Sequence, residues 1–503
     1  MLPILVVLVC LSGPGARAQP RAEPPVPAPA TLADLQGALG NFLRSPRFAG
    51  AVWGVKIISL DTGRTLFEWE PGRRMSPASS CKLYPAALAL VRLGADYRIR
   101  TPLRANAPVD SSGSLRGDLV VCGRGDPSWK PRAGPGDFWS VFDPIIATLQ
   151  QAGVKSIQGD VVADATWLRC PPFGAAWTAD DLNEGFGAEI SAVSLLDNQV
   201  DLSMAPAAEP GNPCRLELLS PLTGLVLENH TRTIAAGGQS QLRVQRLPGS
   251  TRVQVYGEMP SGGAPEVTEV PVPRPAAWFA AALCEALRRA GIPVAGGARA
   301  AVWPEPPARS LVTLGFVLSP PLREMIPALM KPSQNLETDL IFAHLGEMGR
   351  SGNTADWVRS DELALAALGG FLREFKLRPE EVVFEDGSGL SRNNLATAGA
   401  FVRLLEFMAA RPEGEVFLAS LPVAGVDGTL RRRLRDTPAE GNLRAKTGSL
   451  RWASTMTGYV TTAAHERLAF SLLLNRHSPE PGRKAAEELD RLAALLAGYT
   501  GRD

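Results

Sequence analysis

Strand-like runs at the two ends of the chain constrain the fold more than any other feature of the sequence. Residues 51–60 and 64–70 form two β-rich runs joined by an Asp-Thr-Gly turn, a pattern typical of a hairpin. Three further runs, at 441–450, 453–462 and 467–476, predict a meander. Helical periodicity precedes the first pair and follows the last run, so the sequence predicts an α+β fold. Its core would be a five-stranded antiparallel sheet between helices, built from distant parts of the chain.

The middle of the chain must then be an insertion. Residues from about 100 to 305 carry many Pro and Gly and only short strand-like runs, whereas helical periodicity returns from about 310 to 440. The insertion would form one β-rich accessory unit or two subdomains. The expected order along the chain is a signal peptide at 1–18, a Pro/Ala-rich leader at 19–31, a first part of the main domain at 32–100, the insertion at 101–305, and the second part of the main domain at 306–500.

The N-terminal residues predict export. An apolar run from Leu2 to Leu11 is followed by small residues and by Ala16-Arg17-Ala18, which fits a secretory signal with its cleavage site. No other stretch approaches 18 apolar residues, so no integral membrane segment is predicted. A net charge of +1 argues against nucleic acid as a partner, and the one dense basic run, Arg431–Arg433 followed by Arg435, is expected to be a solvated face.

Five cysteines remain beyond the signal, and they show no zinc-ligand spacing; the four histidines are scattered. We therefore predict no metal and no cofactor. Cys170 and Cys214 both lie in Pro-containing loop sequence and are the first expectation for a disulfide, whereas Cys284 lies in a helical stretch and is expected to be buried.

Ser79 and Lys82, in the run MSPASSCK, are the first candidates for chemistry. At a spacing of three they share one face of a helix, so the lysine could take the proton of the serine hydroxyl. Such a base must be neutral, and lowering its pKa from ~10.4 towards ~7 requires roughly 4–5 kcal/mol from burial and a second nearby cation. Taken alone the motif is weak, since roughly 0.5 matches are expected by chance.

Two further motifs follow along the chain. Ser333 and Asn335 in KPSQNLE form a Ser-x-Asn element, for which a serine N-cap of the following helix is an equally good interpretation. Lys446, Thr447 and Gly448 lie on a predicted strand, and only roughly 0.04 such triplets are expected by chance. The glycine would leave the strand open to a substrate backbone, and Lys446 could hold an anionic group.

The order of the three motifs is that of penicillin-binding proteins and serine β-lactamases, a motif set known from those enzymes. The flanking runs GRGDP, WTADDLNEGFGAEISAVSLLDNQVD, EDGSGLSRNNLAT and LPVAGVDGTL make the chain similar to the D-alanyl-D-alanine carboxypeptidase/endopeptidase family of the penicillin-binding protein 4 type, over about residues 35–495. The resemblance implies a β-lactamase/transpeptidase-like domain with a large insertion between the first two motifs.

The resemblance also implies roles for these residues. Ser79 would be the acylated nucleophile, Lys82 its general base, and Ser333 the relay of a proton to the leaving amine. Peptide substrate would be bound by Asn335, and its terminal carboxylate would be held by the strand triplet Lys446, Thr447 and Gly448. An oxyanion hole would be formed by the backbone N–H groups of Ser79 and Ser449.

Some residues depart from the family pattern or tempt further assignment. Pro85 falls where a helix former is expected, which predicts a kink beyond Lys82, and Arg124 stands where the family has a glycine. Cys81 is expected to be buried packing rather than reactive. Five loop residues favour turn capping over a direct role, namely Asp197, Asn198, Asp386, Ser388 and Asp427.

The sequence thus predicts an exported serine hydrolase that releases D-alanine from peptidoglycan stem peptides, and that cleaves D-alanyl cross-links if it is also an endopeptidase. β-Lactam antibiotics would trap the acyl-enzyme, and the location would be the periplasm or cell envelope. A β-lactamase and a noncatalytic peptidoglycan-binding scaffold stay open as alternatives, as does a homodimer. A Ser-His-Asp hydrolase is disfavoured because no Gly-x-Ser-x-Gly element is present.

Overall fold

The computed structural model describes residues 28–131, 137–307, 311–478 and 484–502. The predicted signal peptide and most of the predicted leader lie outside these residues. Within the described ranges the helices are α1 (Leu32–Leu43), α2 (Leu83–Leu93), α3 (Asp143–Gln151), α4 (Pro275–Arg289), α5 (Leu322–Met330), α6 (Asn335–Met348), α7 (Ser360–Glu374), α8 (Ala398–Ala409), α9 (Gly414–Ser420) and α10 (Ala485–Ala497).

The strands within the same ranges are β1 (Val52–Ser59), β2 (Thr65–Trp69), β3 (Arg100–Ala105), β4 (Ser114–Leu115), β5 (Leu119–Cys122), β6 (Ser156–Ile157), β7 (Val161–Asp164), β8 (Gln199–Ala205), β9 (Arg215–Leu218), β10 (Val226–Ile234), β11 (Gln241–Gln245), β12 (Arg252–Pro260), β13 (Glu266–Pro271), β14 (Ala298–Ala301), β15 (Val312–Leu318), β16 (Val382–Val383), β17 (Leu395–Ala396), β18 (Arg444–Leu450), β19 (Ala453–Thr461) and β20 (Arg467–Asn475).

The predicted five-stranded sheet is confirmed, with the strand order β18-β19-β20-β1-β2 and antiparallel pairing throughout. The turn between β1 and β2 contains Gly63 at a φ of 75°, which a glycine adopts without steric cost. The central pairing joins β1 to β20, so that Val52 lies opposite Asn475. An α+β fold from distant ends of the chain follows, as the sequence predicted.

Helices bury both faces of this sheet. Strand β20 is apolar at successive positions because alternate side chains enter different cores. Leu468 and Phe470 pack on the side of α1 and α10, whereas Ala469 and Leu473 pack on the side of α2, α6 and α8. Helix α1 begins in a capping box between Thr31 and Asp34. Among the described residues, no helix combines the length and the apolarity needed to cross a membrane.

The region between α2 and α5 builds the accessory part. Its largest sheet has the order β14-β7-β5-β3-β15, and it also holds two three-stranded sheets, β10-β12-β11 and β13-β8-β9, and the two-stranded sheet β4-β6. Because β15 pairs with β3, this sheet extends to Leu318, beyond the expected boundary at residue 305. The α3 and α4 helices pack on a separate core that holds Phe142 and Phe279.

A buried charge cluster joins the accessory part to α6. Lys130 forms an ion pair with Asp197 at 2.6 Å and a second ion pair with Glu337 on α6. Asp197 therefore does more than the turn capping that the sequence favoured. Asn198, by contrast, is fully buried and accepts the backbone N–H of Leu195, so it does cap a loop.

The expected disulfide between Cys170 and Cys214 is wrong, since both thiols are free. Cys214 is buried next to Thr231 and Thr233 in the accessory part. Cys170 follows Arg169, whose backbone N–H donates to Ser360 Oγ at the start of α7. Similar loop sequence therefore did not mean spatial proximity, and Cys284 is buried on α4 as predicted.

The kink expected at Pro85 is also not needed. Helix α2 begins at Leu83, so Pro85 occupies the first turn, where a backbone N–H has no partner within the helix anyway.

Arg124, the other residue that departs from the family pattern, lies with its guanidinium over the ring of Trp167. Its backbone carbonyl lies 2.7 Å from His344 Nδ1.

Candidate active site

Ser79 lies in a 3-10 turn, Ala78–Lys82, that runs directly into α2. The hydroxyl of Thr455 on β19 fixes this turn to the central sheet. It donates to the carbonyl of Pro77 at 2.9 Å and shares a hydrogen bond with Ser80 Oγ at 2.8 Å. The turn thus presents the serine at a rigid edge where the sheet meets a helix.

Lys82 is fully buried beneath Ser79 and makes three polar contacts. Its Nζ lies 2.9 Å from Ser79 Oγ, 2.6 Å from Asn335 Oδ1 and 2.6 Å from the carbonyl oxygen of Ser388. Two of these partners are carbonyl oxygens, which can only accept. The third is a hydroxyl, which can accept or donate.

Burial lowers the pKa of Lys82 from 10.5 to about 8, while the nearby acidic groups, chiefly the Asp339 carboxyl, oppose that shift. We expected a second cation to lower this pKa. Instead, the repulsion between the two lysines lowers the pKa of Lys446, which burial already holds well below its ordinary value. Burial, rather than the second cation, is therefore the main cause of the lowered pKa of Lys82.

Asn335 and Ser333 lie at the start of α6. The N-cap is Gln334, whereas Ser333 adopts a left-handed φ of 71°, so the serine is not the helix cap that the sequence allowed. Asn335 Nδ2 donates to the carbonyl of Phe186 at 3.1 Å, which orients its Oδ1 towards the buried lysine. Ser333 Oγ accepts a hydrogen bond from Lys446 Nζ at 2.8 Å.

Strand β18 forms the other wall of the site and is an edge strand of the central sheet. Lys446 is fully buried on it, and its Nζ donates to Ser333 Oγ and to the carbonyl of Thr447 at 2.8 Å. The hydroxyl of Thr447 shares a hydrogen bond of 2.7 Å with Thr429 Oγ1. The Lys446 amine therefore lies beneath the surface of the cleft, and the hydroxyls form the surface itself.

Gly448 is required by the close approach of strand and turn. A Cβ placed there would lie 2.8 Å from both Pro77 O and Ser79 N, and it would overlap with the hydroxyl of Thr455. We expected this glycine to keep the strand open to a substrate backbone. The structure gives a different reason, because it is the nucleophile segment that occupies the space of the missing side chain.

A cleft of about 610 Å³ opens above these groups. The predicted site residues on its lining are Ser79, Ser333, Asn335, Thr447, Gly448 and Ser449. Lys82 and Lys446 lie below this surface. The structure therefore brings all the residues singled out from the three motifs together around one cleft.

The lining of the cleft also carries charged side chains. Asp181 Oδ1 accepts a hydrogen bond from Arg392 at 2.9 Å, and both residues line the cleft. Arg433 also lines it and is bound by the carboxylate of Asp490. Of the Arg431–Arg433 run, which we expected to be a solvated face, Arg433 is therefore the exception.

The sequence missed Asp339, and it undervalued the turn that contains Asp386 and Ser388. Both backbone N–H groups of Gly387 and Ser388 donate to Asp339 Oδ1 at 2.9 Å. A signal was present, since Asp339 lies four residues after Asn335 in a helical stretch and so shares its face. Cys81 is fully buried beside Asn394, as expected for packing, and burial raises the pKa of its thiol.

Comparison with known proteins identifies close relatives. The model of the D-Ala-D-Ala carboxypeptidase 3 (S13) family matches residues 35–496. The chain is 33% identical to a D-alanyl-D-alanine carboxypeptidase of Actinomadura sp., over 94% of this chain and 86% of that protein. It is 26% identical to a D-alanyl-D-alanine carboxypeptidase of Haemophilus influenzae, over 89% of this chain and 94% of that protein.

Comparison with solved structures also identifies a similar protein. Penicillin-binding protein 4 from Haemophilus influenzae superposes with a TM-score of 0.75 at 25% identity, covering 92% of this chain and 98% of that one. A second structure of that protein, in complex with a β-lactam, superposes with a TM-score of 0.71 and the same coverage.

Proposed function

The chain belongs to the D-Ala-D-Ala carboxypeptidase 3 (S13) family and is a serine-type D-alanyl-D-alanine carboxypeptidase, and we propose that it acts through an acyl-enzyme formed on Ser79. The family resemblance inferred from the sequence is thereby confirmed. The reaction class is peptide hydrolysis at a terminal D-alanine.

The three contacts of Lys82 carry the proposal. Neutral Lys82 has two N–H donors and one lone pair, and the carbonyl oxygens of Asn335 and Ser388 accept from the two donors. The lone pair then points at Ser79 Oγ, 2.9 Å away, and accepts its proton as the oxygen attacks the peptide carbonyl. With a pKa of about 8, about one Lys82 in ten is neutral at pH 7.

Binding of the substrate carboxylate is assigned to the end of the cleft near Thr447. Hydroxyl groups of Thr447 and Thr429 lie on the cleft surface there, and the Lys446 ammonium lies behind them. The carboxylate would restore the protonated form of Lys446, whose pKa burial lowers in the empty site. Backbone N–H groups of Ser79 and Ser449 are proposed to bind the developing oxyanion.

Departure of D-alanine requires a proton on its amine nitrogen. We assign its delivery to Ser333, whose oxygen accepts from Lys446 and whose own hydroxyl proton is therefore directed elsewhere. Lys446 can replace the proton that Ser333 gives up, and the Lys82 ammonium holds the one taken from Ser79. Proton exchange with solvent would then return Lys82 to its neutral form and Lys446 to its protonated form. Neutral Lys82 would take a proton from the water that attacks the ester and return it to Ser79 Oγ as the acyl group leaves, which completes the turnover.

Cleavage of D-alanyl cross-links follows from the same chemistry if the leaving amine belongs to a second peptide. A cleft of about 610 Å³ lies within the range of sites that enclose ligands larger than one amino acid. Peptidoglycan stem peptides and β-lactams are therefore the proposed partners, in line with the β-lactam complex of the similar penicillin-binding protein 4. Export to the periplasm or cell envelope, inferred from the N-terminal residues, and a homodimer stay predictions.

Labelling with a fluorescent penicillin tests the mechanism. We expect covalent labelling of the wild-type protein at Ser79, identified by mass spectrometry of the labelled peptide, and its loss in Ser79→Ala. Rapid hydrolysis of the penicillin would indicate a β-lactamase instead. A folded wild-type protein that never labels would indicate a scaffold.

Digestion of muropeptides separates the two peptidase activities. Release of D-alanine from pentapeptides shows carboxypeptidase action, and conversion of cross-linked dimers into monomers shows endopeptidase action. Both products are resolved by mass spectrometry, and Ser79→Ala is the control for each.

A further inference from the structure

Asp339 is a buried carboxylate that the proposed chemistry does not yet use. It lies on α6 one turn after Asn335 and is 4% exposed. Its Oδ1 accepts the backbone N–H groups of Gly387 and Ser388, whereas its Oδ2 has no hydrogen-bond partner among the described residues. A half-satisfied buried carboxylate is costly, so its retention beside a catalytic lysine requires a reason.

The turn held by Asp339 is the same turn that contacts Lys82. The carbonyl of Ser388 accepts from Lys82 Nζ at 2.6 Å, and the N–H of the same residue donates to Asp339. Gly387 lies against Phe342 of α6, and a Cβ at Gly389 would overlap with the carbonyl of Ala78. The turn is thus confined between α6 and the nucleophile segment, and any rotation of its peptides would move the acceptor of Lys82.

A second carboxylate secures this turn from within. Asp386 accepts the backbone N–H groups of Gly389 and Ser391, and also Trp177 Nε1 and Asn394 Nδ2. These four donors suit a charged carboxylate. Asp386 therefore fixes the shape of the turn, whereas Asp339 fixes its position relative to α6.

We propose that Asp339 is a positioning residue for acylation, which anchors the Gly387 and Ser388 peptides to α6 so that the Ser388 carbonyl holds one N–H of Lys82. Asn335, on the same helix, holds the other N–H. One helix face thus sets both acceptors of the base and directs its lone pair to Ser79. This inference depends on the proposed role of Lys82 as the general base.

The charge of Asp339 adds a second effect on the lysine. Among the described residues, four charged or titratable groups face Lys82. They are Asp339 on α6, Asp386 in the turn, Lys446 on β18, and Cys81, which precedes Lys82 in the chain. Burial and the nearby Asp386 raise the pKa of Asp339 to about 8, so its charge is partly present at neutral pH. When charged, Asp339 favours the protonated lysine, so removing that charge should let Lys82 become neutral at a lower pH.

Two substitutions separate position from charge. Asp339→Asn keeps an oxygen that can accept both N–H groups and removes the charge, whereas Asp339→Ala removes the anchor as well. Glu337→Gln is the matched control, because Glu337 is a buried carboxylate on the same turn of α6 that pairs with Lys130 and, among the residues that the structure describes, forms no hydrogen bond or ion pair with the 385–391 turn or with Lys82.

The experiment measures acylation by a fluorescent penicillin between pH 6 and 10, resolved into a binding constant and an acylation rate constant, with thermal melting to verify folding. For Asp339→Ala we expect acylation at least about 100-fold slower with the binding constant within about threefold, as for a misplaced base. For Asp339→Asn we expect a rate within about fivefold of wild type above pH 8 and an acid limb shifted to lower pH. Glu337→Gln should keep the wild-type acylation rate and the wild-type pH dependence of that rate.

A folded Asp339→Ala protein that acylates at the wild-type rate would overturn the proposal. If that variant does not fold, Asp339→Asn decides, since a folded Asp339→Asn protein that acylates about 100-fold more slowly than wild type above pH 8, although it keeps the anchoring oxygen, would also overturn it. Lys82→Met distinguishes this outcome from failure of the proposed function. If Lys82→Met acylates normally, the lysine is not the base; if it is inactive while Asp339→Ala is normal, only the role of Asp339 is refuted.

Discussion

Replacement of Gly448 by alanine tests how closely the strand and the nucleophile must approach. Pro77 O and Ser79 N lie 2.8 Å from the position of the new Cβ, while ordinary contact begins at about 3.4 Å. The strand and the turn must therefore separate by about 0.6 Å (3.4 − 2.8). Overpacking of this kind costs about 1–3 kcal/mol of folding free energy.

The cost to catalysis should be larger than the cost to stability. Because the proposed oxyanion hole joins an N–H of the turn to an N–H of the strand, separating them weakens one donor. Loss of a whole donor costs about 3–4 kcal/mol, and a displacement of 1 Å costs about 100-fold in rate. For a shift of about 0.6 Å we expect acylation about 10- to 100-fold slower.

The assay is the time course of labelling by a fluorescent penicillin, with thermal melting of the same sample. Gly54→Ala is the control, since Gly54 lies on β1, which two strands separate from β18, and its new Cβ would meet only the flexible end of Met75 closely. A folded Gly448→Ala protein with the acylation rate of Gly54→Ala would refute the steric argument.

Three further outcomes follow from the contacts around the site. The acylation rate should rise about tenfold per pH unit up to about pH 8 and then level, because only neutral Lys82 accepts the proton; a pH-independent rate between 6 and 9 would contradict this. Asn335→Ala removes one of the two carbonyl acceptors of Lys82, so we expect acylation about 100-fold slower in a folded protein, measured by the same labelling. Lys130→Met leaves Glu337 buried without its cation and should lower the free energy of unfolding by about 3 kcal/mol, measured by denaturant titration; an unchanged midpoint would show that the cluster does not stabilise the interface.

Local pattern was sufficient to predict the central sheet. The turn at Gly63 and the continuous apolar run along β20 are properties of neighbouring residues, so two strands near the start and three near the end could be found in the sequence. Their pairing followed because apolar runs of this kind need a partner on each side. Similarly, the Lys-Thr-Gly triplet at 446–448 was too rare to be dismissed as chance.

Contacts between distant segments could not be predicted in the same way. The sequence around Cys170 and Cys214 is similar, but disulfide formation depends on the separation of their Cα atoms, which a loop pattern does not fix. Asp339 was missed because its partners, the N–H groups of Gly387 and Ser388, are about fifty residues away in the chain. Its spacing from Asn335 places it on the same helix face, but its role is set by where that turn packs, which the spacing alone does not give.

The two buried lysines of the site, Lys82 and Lys446, have different surroundings, and this difference agrees with their different roles in the proposed reaction. Lys82 lies among negative groups, Asp339 and Asp386, which limit how far burial lowers its pKa and keep it able to accept a proton. For Lys446, burial and the charge of Lys82 both lower the pKa. Under the proposed function, the terminal carboxylate of the substrate would supply a negative charge near Lys446 and so raise its pKa. Binding of a substrate with that carboxylate would therefore favour the protonated form of Lys446, which is the form that can pass a proton through Ser333 to the leaving amine.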